Sequence, residues 1–107
     1  MKTELYKCLR SFEKKNVELM ISYASRRHPN TVGVAVGFVF ELGNGHVKLQ
    51  SNYNPKEAGS TYSHIPYGAD DIGIVEIKKI SEETPLYRDE EFFKDAYLQL
   101  QDQSMGN

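Results

Sequence analysis

The segment YSHIPYGADD, residues 62–71, gathers Tyr62, Ser63, His64, Tyr67, Asp70 and Asp71 within ten positions. An imidazole can act as a base near neutral pH, and a neighbouring carboxylate can orient it. On that chemistry His64 with Asp70 and Asp71 would form the centre of a small hydrolase or nuclease. Paired aspartates can also hold a divalent cation. The pattern has little specificity, however. Polar loops commonly contain such residues, and adjacent aspartates before a strand are more often turn formers. Catalysis is therefore the alternative reading rather than the leading one.

Other chemical signals are weaker. His28, His46 and His64 are scattered, without HxH or HExxH spacing, and Cys8 is alone, so no CxxC exists. No metal and no cofactor are expected. Gly43-Asn44-Gly45 sits in a hairpin pattern, not between a strand and a helix, so it does not read as a phosphate cradle. Lys7, Arg10, Lys14 and Lys15 offer the one basic stretch, which a solvated helix face explains as well. With a net charge of −2 and no RRM, KH or helix-turn-helix signature, nucleic acid is not the expected partner.

The wider stretch 52–71 has no helical or strand period. Its tyrosines, serines, asparagines and glycines are the residue types of protein-binding loops, where tyrosine supplies rigid contact area and small residues adapt. Long irregular loops in compact domains are usually functional or disordered. The plainer alternative is a connection across one end of a sheet, with its tyrosines closing the core and Tyr62–Ile65 forming a short extra strand.

Charge is distributed unevenly. Residues 1–28 carry seven Lys/Arg against three Glu, whereas residues 81–107 carry two against seven acidic groups. The ends either neutralise each other or the acidic end faces a basic partner. The expected partner surface is Tyr53, Tyr62, His64, Tyr67, Asp70, Asp71, Glu90 and Glu91. The functional expectation is a module that binds another protein, with a bacterial inhibitor of the immunity or antitoxin type as one concrete form. A homodimer formed through an open sheet edge is a further form. A lone cysteine, no signal-peptide pattern and no apolar run near the ~20 residues of a membrane helix make the cytoplasm the default location.

These residues need a scaffold. At 107 residues the chain fits one domain. Leu5, Cys8, Leu9, Phe12, Met20, Tyr23 and Ala24 fall near a 3.6-residue period, so residues 4–27 read as one helix. Val17, Leu19, Ile21 and Tyr23 also alternate, which leaves a short helix, a break at Lys14-Lys15-Asn16 and a strand as the alternative for 17–24. Residues 32–42 alternate as a strand, with Val32, Val34, Val36, Phe38, Phe40 and Leu42 on the expected core face. Asn44-Gly45 is a strong hairpin turn signal. It pairs Leu42 with Val47, Phe40 with Leu49, Val36 with Tyr53 and, on the other face, Glu41 with Lys48. Residues 72–80 read as an interior strand, 81–85 as a turn, 89–102 as a second helix and 103–107 as a frayed tail. The expected fold is α+β: a two-layer sandwich of a three- to four-stranded, mainly antiparallel sheet with the N- and C-terminal helices on one face.

Overall fold

The computed structural model describes residues 3–29, 31–54, 56, 62–68 and 71–105. It is an α+β domain with one antiparallel sheet and two helices. The elements run α1 (Thr3–Ser11), β1 (Leu19–Ser25), β2 (Val32–Gly43), β3 (His46–Gln50), β4 (Tyr62–Ile65), β5 (Ile72–Lys79), β6 (Pro85–Arg88) and α2 (Glu90–Met105). Among the described residues the sheet has six strands in the order β4-β3-β2-β1-β5-β6, not three or four.

Three strands account for the difference. The first is β1, where a single helix over 4–27 was expected. The helix stops after Ser11, and Lys14 takes a left-handed φ of 57°. Its N–H then reaches the Val39 carbonyl at 2.8 Å. The alternation of Leu19, Ile21 and Tyr23 wins over the helical period because β2 and β5 flank β1 and pair with it on both sides. The second is β4, the short strand inside the tyrosine-rich stretch. The third is β6, which opens on Pro85 and stands at the sheet edge, where proline is tolerated. At the other end, α2 runs to Met105, beyond the expected helix end at 102 and into the expected tail.

The hairpin is right at its tip and shifted below it. Gly43 pairs with His46, Leu42 with Val47 and Glu41 with Lys48, as the Asn-Gly turn implies. Gly45 has φ +88° but Asn44 has a negative φ, so the turn is not the type I′ form, which needs positive φ at both central residues. A bulge then falls at Phe40, so Leu49 faces Val39 and not Phe40. One extra residue moves every side chain below it to the opposite face. The face of Ala35, Gly37 and Val39 becomes the core, and Val34 and Val36 point outward. The pairing of Val36 with Tyr53 does not form, because β3 ends at Gln50. At Gly37 a Cβ would lie 2.5 Å from the Gln50 carbonyl oxygen, so β3 can approach this closely only beside glycine.

Gly45 also touches the next connection, since a Cβ there would meet the Gly68 Cα at 3.0 Å. Gly45→Val is therefore expected to lower stability by about 2 kcal/mol, combining the positive-φ cost with this contact. Chemical denaturation of the variant checks the figure. An unchanged midpoint would count against this turn geometry.

The sheet curls around α1. Buried residues of all six strands join Leu5 and Leu9 in one core: Ile21, Val39, Leu49, Ile65, Ile77 and Tyr87 among them. Ile65 and Tyr87 belong to the two edge strands. A flat sheet would hold those edges about 24 Å apart, beyond the ~10–12 Å width of a helix. The connection after β4 confirms the bend. Gly68 donates to the Gly45 carbonyl, and three residues later the Asp71 carbonyl accepts the Arg26 N–H, both at 2.6 Å. Three residues reach about 11 Å at most. The hairpin tip and the end of β1 are thus close, although β2 drawn straight would be about 40 Å long.

The second helix lies on the opposite face, which makes three layers where two were expected. Phe92 packs with Ala24 and Val75, and Val32, Phe93 and Tyr97 close this smaller core. Ala24 and Val75 adjoin Tyr23 and Ile74, which face α1. Strand alternation therefore sends the two sets to opposite sides. The bulge between Ser22 and Tyr23 makes Val75 the extra residue in β5, so Ile74 and Ile77 share the α1 face although three residues apart.

Candidate functional site

The tyrosine-rich stretch is tied down at both ends. At its start, the buried Gln50 side chain holds Asn54 in both directions, donating to its carbonyl at 2.8 Å and accepting its N–H at 3.0 Å. The Tyr53 ring lies 5.7 Å from Phe38, and its hydroxyl donates to the Lys14 carbonyl at 3.2 Å. At the far end Tyr67 is half-buried against the α1 core. Burial raises the pKa of its hydroxyl, with the nearby Tyr6 adding to the shift. Tyr53 and Tyr67 thus hold the connection in place, and their rings are already engaged within the chain.

The catalytic alternative finds little geometric support. His64 is exposed on β4, opposite Lys48, and its ring centroid lies 5.4 Å from that of His46. Asp71 is half-buried at the start of β5, and Asp70 lies outside the described residues. Among the described residues no hydrogen bond or ion pair joins His64 to Asp71. The carboxylate near these imidazoles is Glu41, 3.4 Å from His46 Nε2 and 3.5 Å from Lys48 Nζ. The His46 hydrogen bond and then the Lys48 charge hold its carboxyl below the usual carboxylate pKa. Glu41 and His46 were absent from the sequence-derived site. Hairpin register was the signal that could have found them, because it already set Glu41 against Lys48. Among the described residues no group of three His, Cys, Asp or Glu side chains is arranged to hold a metal ion.

Glu90 and Glu91 belong to a different arrangement. Asp89 caps α2: its Oδ1 accepts the Phe92 N–H at 3.2 Å and its carbonyl the Phe93 N–H at 2.7 Å. Its own N–H reaches the Val75 carbonyl, which fixes the helix start to β5. Two shallow clefts flank this start. One, of about 430 Å³, is lined by Thr3, Glu4, Tyr87, Arg88, Asp89 and Glu90. The other, of about 230 Å³, is lined by Arg26, Pro29, Asp89, Glu91, Phe92 and Asp95. The curled sheet brings Glu4 of α1 to the same place, a contribution that no local sequence pattern signalled.

Of the two arginines at these clefts, Arg88 is engaged inside the fold and Arg26 is exposed. Arg88 donates to Glu76 Oε2 from Nε at 2.9 Å and from Nη2 at 2.5 Å, and it lies 4.1 Å over the Phe93 ring. Arg26 lies 5.4 Å over the Phe92 ring. Five carboxylates, Glu4, Asp89, Glu90, Glu91 and Asp95, thus line clefts holding two guanidiniums, one of them already paired with Glu76. Tyr87 responds to this field. Burial first, then Asp89 and Glu4, push its hydroxyl pKa up to about 12, with Arg26 opposing.

The expected surface therefore divides into two groups. Asp71 reaches Arg26 through its backbone, and Arg26 lines a cleft with Glu91, so the end of the loop does meet the start of α2. Tyr62 and His64 sit on β4, at the other end of the strand order from β6 and α2, with Tyr53 following β3. No protein-family model, no curated protein and no solved structure matches this chain. Among the described residues no helix is long and apolar enough to cross a membrane.

Proposed function

We propose that this protein binds a basic partner protein through the acidic pole around the start of α2. The carrying observation is the set of five carboxylates around the starts of α1 and α2 that line two adjoining clefts, where Arg88 is already paired with Glu76 and the exposed Arg26 is the other guanidinium. Part of the acidic preference at a helix start is explained by the helix dipole. Glu4 lies in the first turn of α1, where the same preference applies, and Asp95 in the second turn of α2 adds charge that neither dipole calls for. Such a surface steers a cationic partner and accepts its lysine or arginine side chains. A stable scaffold with a complementary charged face suits an inhibitor of the immunity or antitoxin type acting in the cytoplasm. The tyrosines Tyr53 and Tyr67 position the loop, and the pole supplies the contact.

The test is affinity purification from the native host on immobilised wild type and on the exposed double variant Glu90→Lys/Glu91→Lys. A basic protein retained by the wild type and released by moderate salt is expected. The double variant should lose at least tenfold in affinity, mainly through slower association. Equal retention by both would refute the assignment of the pole.

A further inference from the structure

We propose that the first half of β2 is a self-pairing edge, through which two copies of this chain join into one continuous antiparallel sheet. The argument starts from how β2 is shared. Residues Val32–Gly37 pair with β1, whereas Phe38–Gly43 pair with β3. Against β1, Val32–Val36 are fully laddered. On the β3 side those same residues have no strand partner among the described residues, because β3 stops opposite Phe38. Among the described residues β2 is thus an interior strand over one half and an edge over the other.

Sheet edges are normally guarded. The outer strands here follow that rule: β4 is four residues long, and β6 opens on Pro85. The β2 edge has none of these devices. Residues 31–37 read TVGVAVG, without a charge or a proline. Val34 is 53% exposed and Val36 39%, on the face that α2 leaves uncovered beyond Val32. Isolated exposed valines need no explanation. Two in succession on one face, beside an unpaired backbone edge, form a template for another strand.

The sequence says which strand. Val32-Gly33-Val34-Ala35-Val36 is nearly a palindrome. An antiparallel pair about a two-fold axis at Val34 sets Val34 against Val34 of the second copy, Val32 against Val36 and Gly33 against Ala35. Every pair matches in size, and no like charges meet, which is what an isologous contact requires. The added surface is small, so the dimer is a weak one, with a dissociation constant on the order of micromolar or above.

Sedimentation equilibrium from about 1 µM to about 500 µM should show a monomer–dimer equilibrium spanning that range. Val34→Lys places two like charges on the axis and should weaken dimerisation at least tenfold, with circular dichroism showing an intact fold at this exposed position. Register is tested separately in a Cys8→Ser background. Val34→Cys should form an intermolecular disulfide on mild oxidation. Val36→Cys should not, since its own copy would lie about 13 Å away along the paired strands. A strictly monomeric wild type overturns the proposal. So does a dimer that Val34→Lys leaves unchanged, or one in which Val36→Cys cross-links as readily as Val34→Cys, which would indicate packing face to face.

Discussion

Leu9→Ala is expected to lower the unfolding free energy by about 3–4 kcal/mol, with a fall in melting temperature of roughly 15 °C or more. Leu9 is fully buried on a helix of nine residues. So short a helix is not stable by itself and depends on its packed face. Leu5 and Leu9 are the buried residues of that face. Strands hydrogen-bonded to one another surround them, and such walls do not collapse into a void. The cavity term therefore adds nearly in full to the lost transfer energy. Urea denaturation at constant slope measures the change. A loss below about 1 kcal/mol would mean that α1 does not fill the curl of the sheet.

The second large effect should come from Arg88→Leu, at about 2–3 kcal/mol. Glu76 is 9% exposed and takes two hydrogen bonds from Arg88, which also stacks on Phe93. Removing one member of a buried pair leaves the other charge uncompensated, at a cost of about 3–5 kcal/mol. The Arg88 side chain retains 31% exposure, so water reaches the site and the expected loss falls at or below the bottom of that range. The double variant Glu76→Leu/Arg88→Leu should recover at least 1 kcal/mol relative to the single one, because apolar residues of similar size can replace such a pair. A double-mutant cycle measures this directly, and additive losses would contradict it. Since Arg88 holds Phe93 and hence the start of α2, the single variant should also weaken binding at the acidic pole.

Local chemistry accounts for what could be read without a structure. Asn44-Gly45 dictated its turn, and the three pairs nearest to it followed, including Glu41 with Lys48. The strands at 32–43 and 72–79 and the second helix were legible for the same reason: each carries its period, turn or capping signal within its own residues. Residues 17–24 show where that reasoning failed. Both periods fitted them, and the choice of strand depended on β2 and β5, which are distant in sequence. The bulge at Phe40 was equally hidden. The alternation of large residues pointed to the Val34–Phe38 face as core, yet the smaller face is inside because β3 must approach at Gly37.

The candidate site divides along the same line. The acidic start of the second helix and the tyrosine-rich connection were legible in the sequence. These follow from composition, dipole preference and periodicity, which act over a few residues. The packed chain sets Tyr53 against Phe38 and the Lys14 carbonyl and Tyr67 against the α1 core. The curl brings Glu4 beside Asp89, and among the described residues it leaves the first half of β2 paired on one side only, with β1. Each of these depends on the curl of a six-stranded sheet around a nine-residue helix. Curvature arises from bulges and from glycine-permitted close approach summed across strands, and no window of the sequence contains that sum.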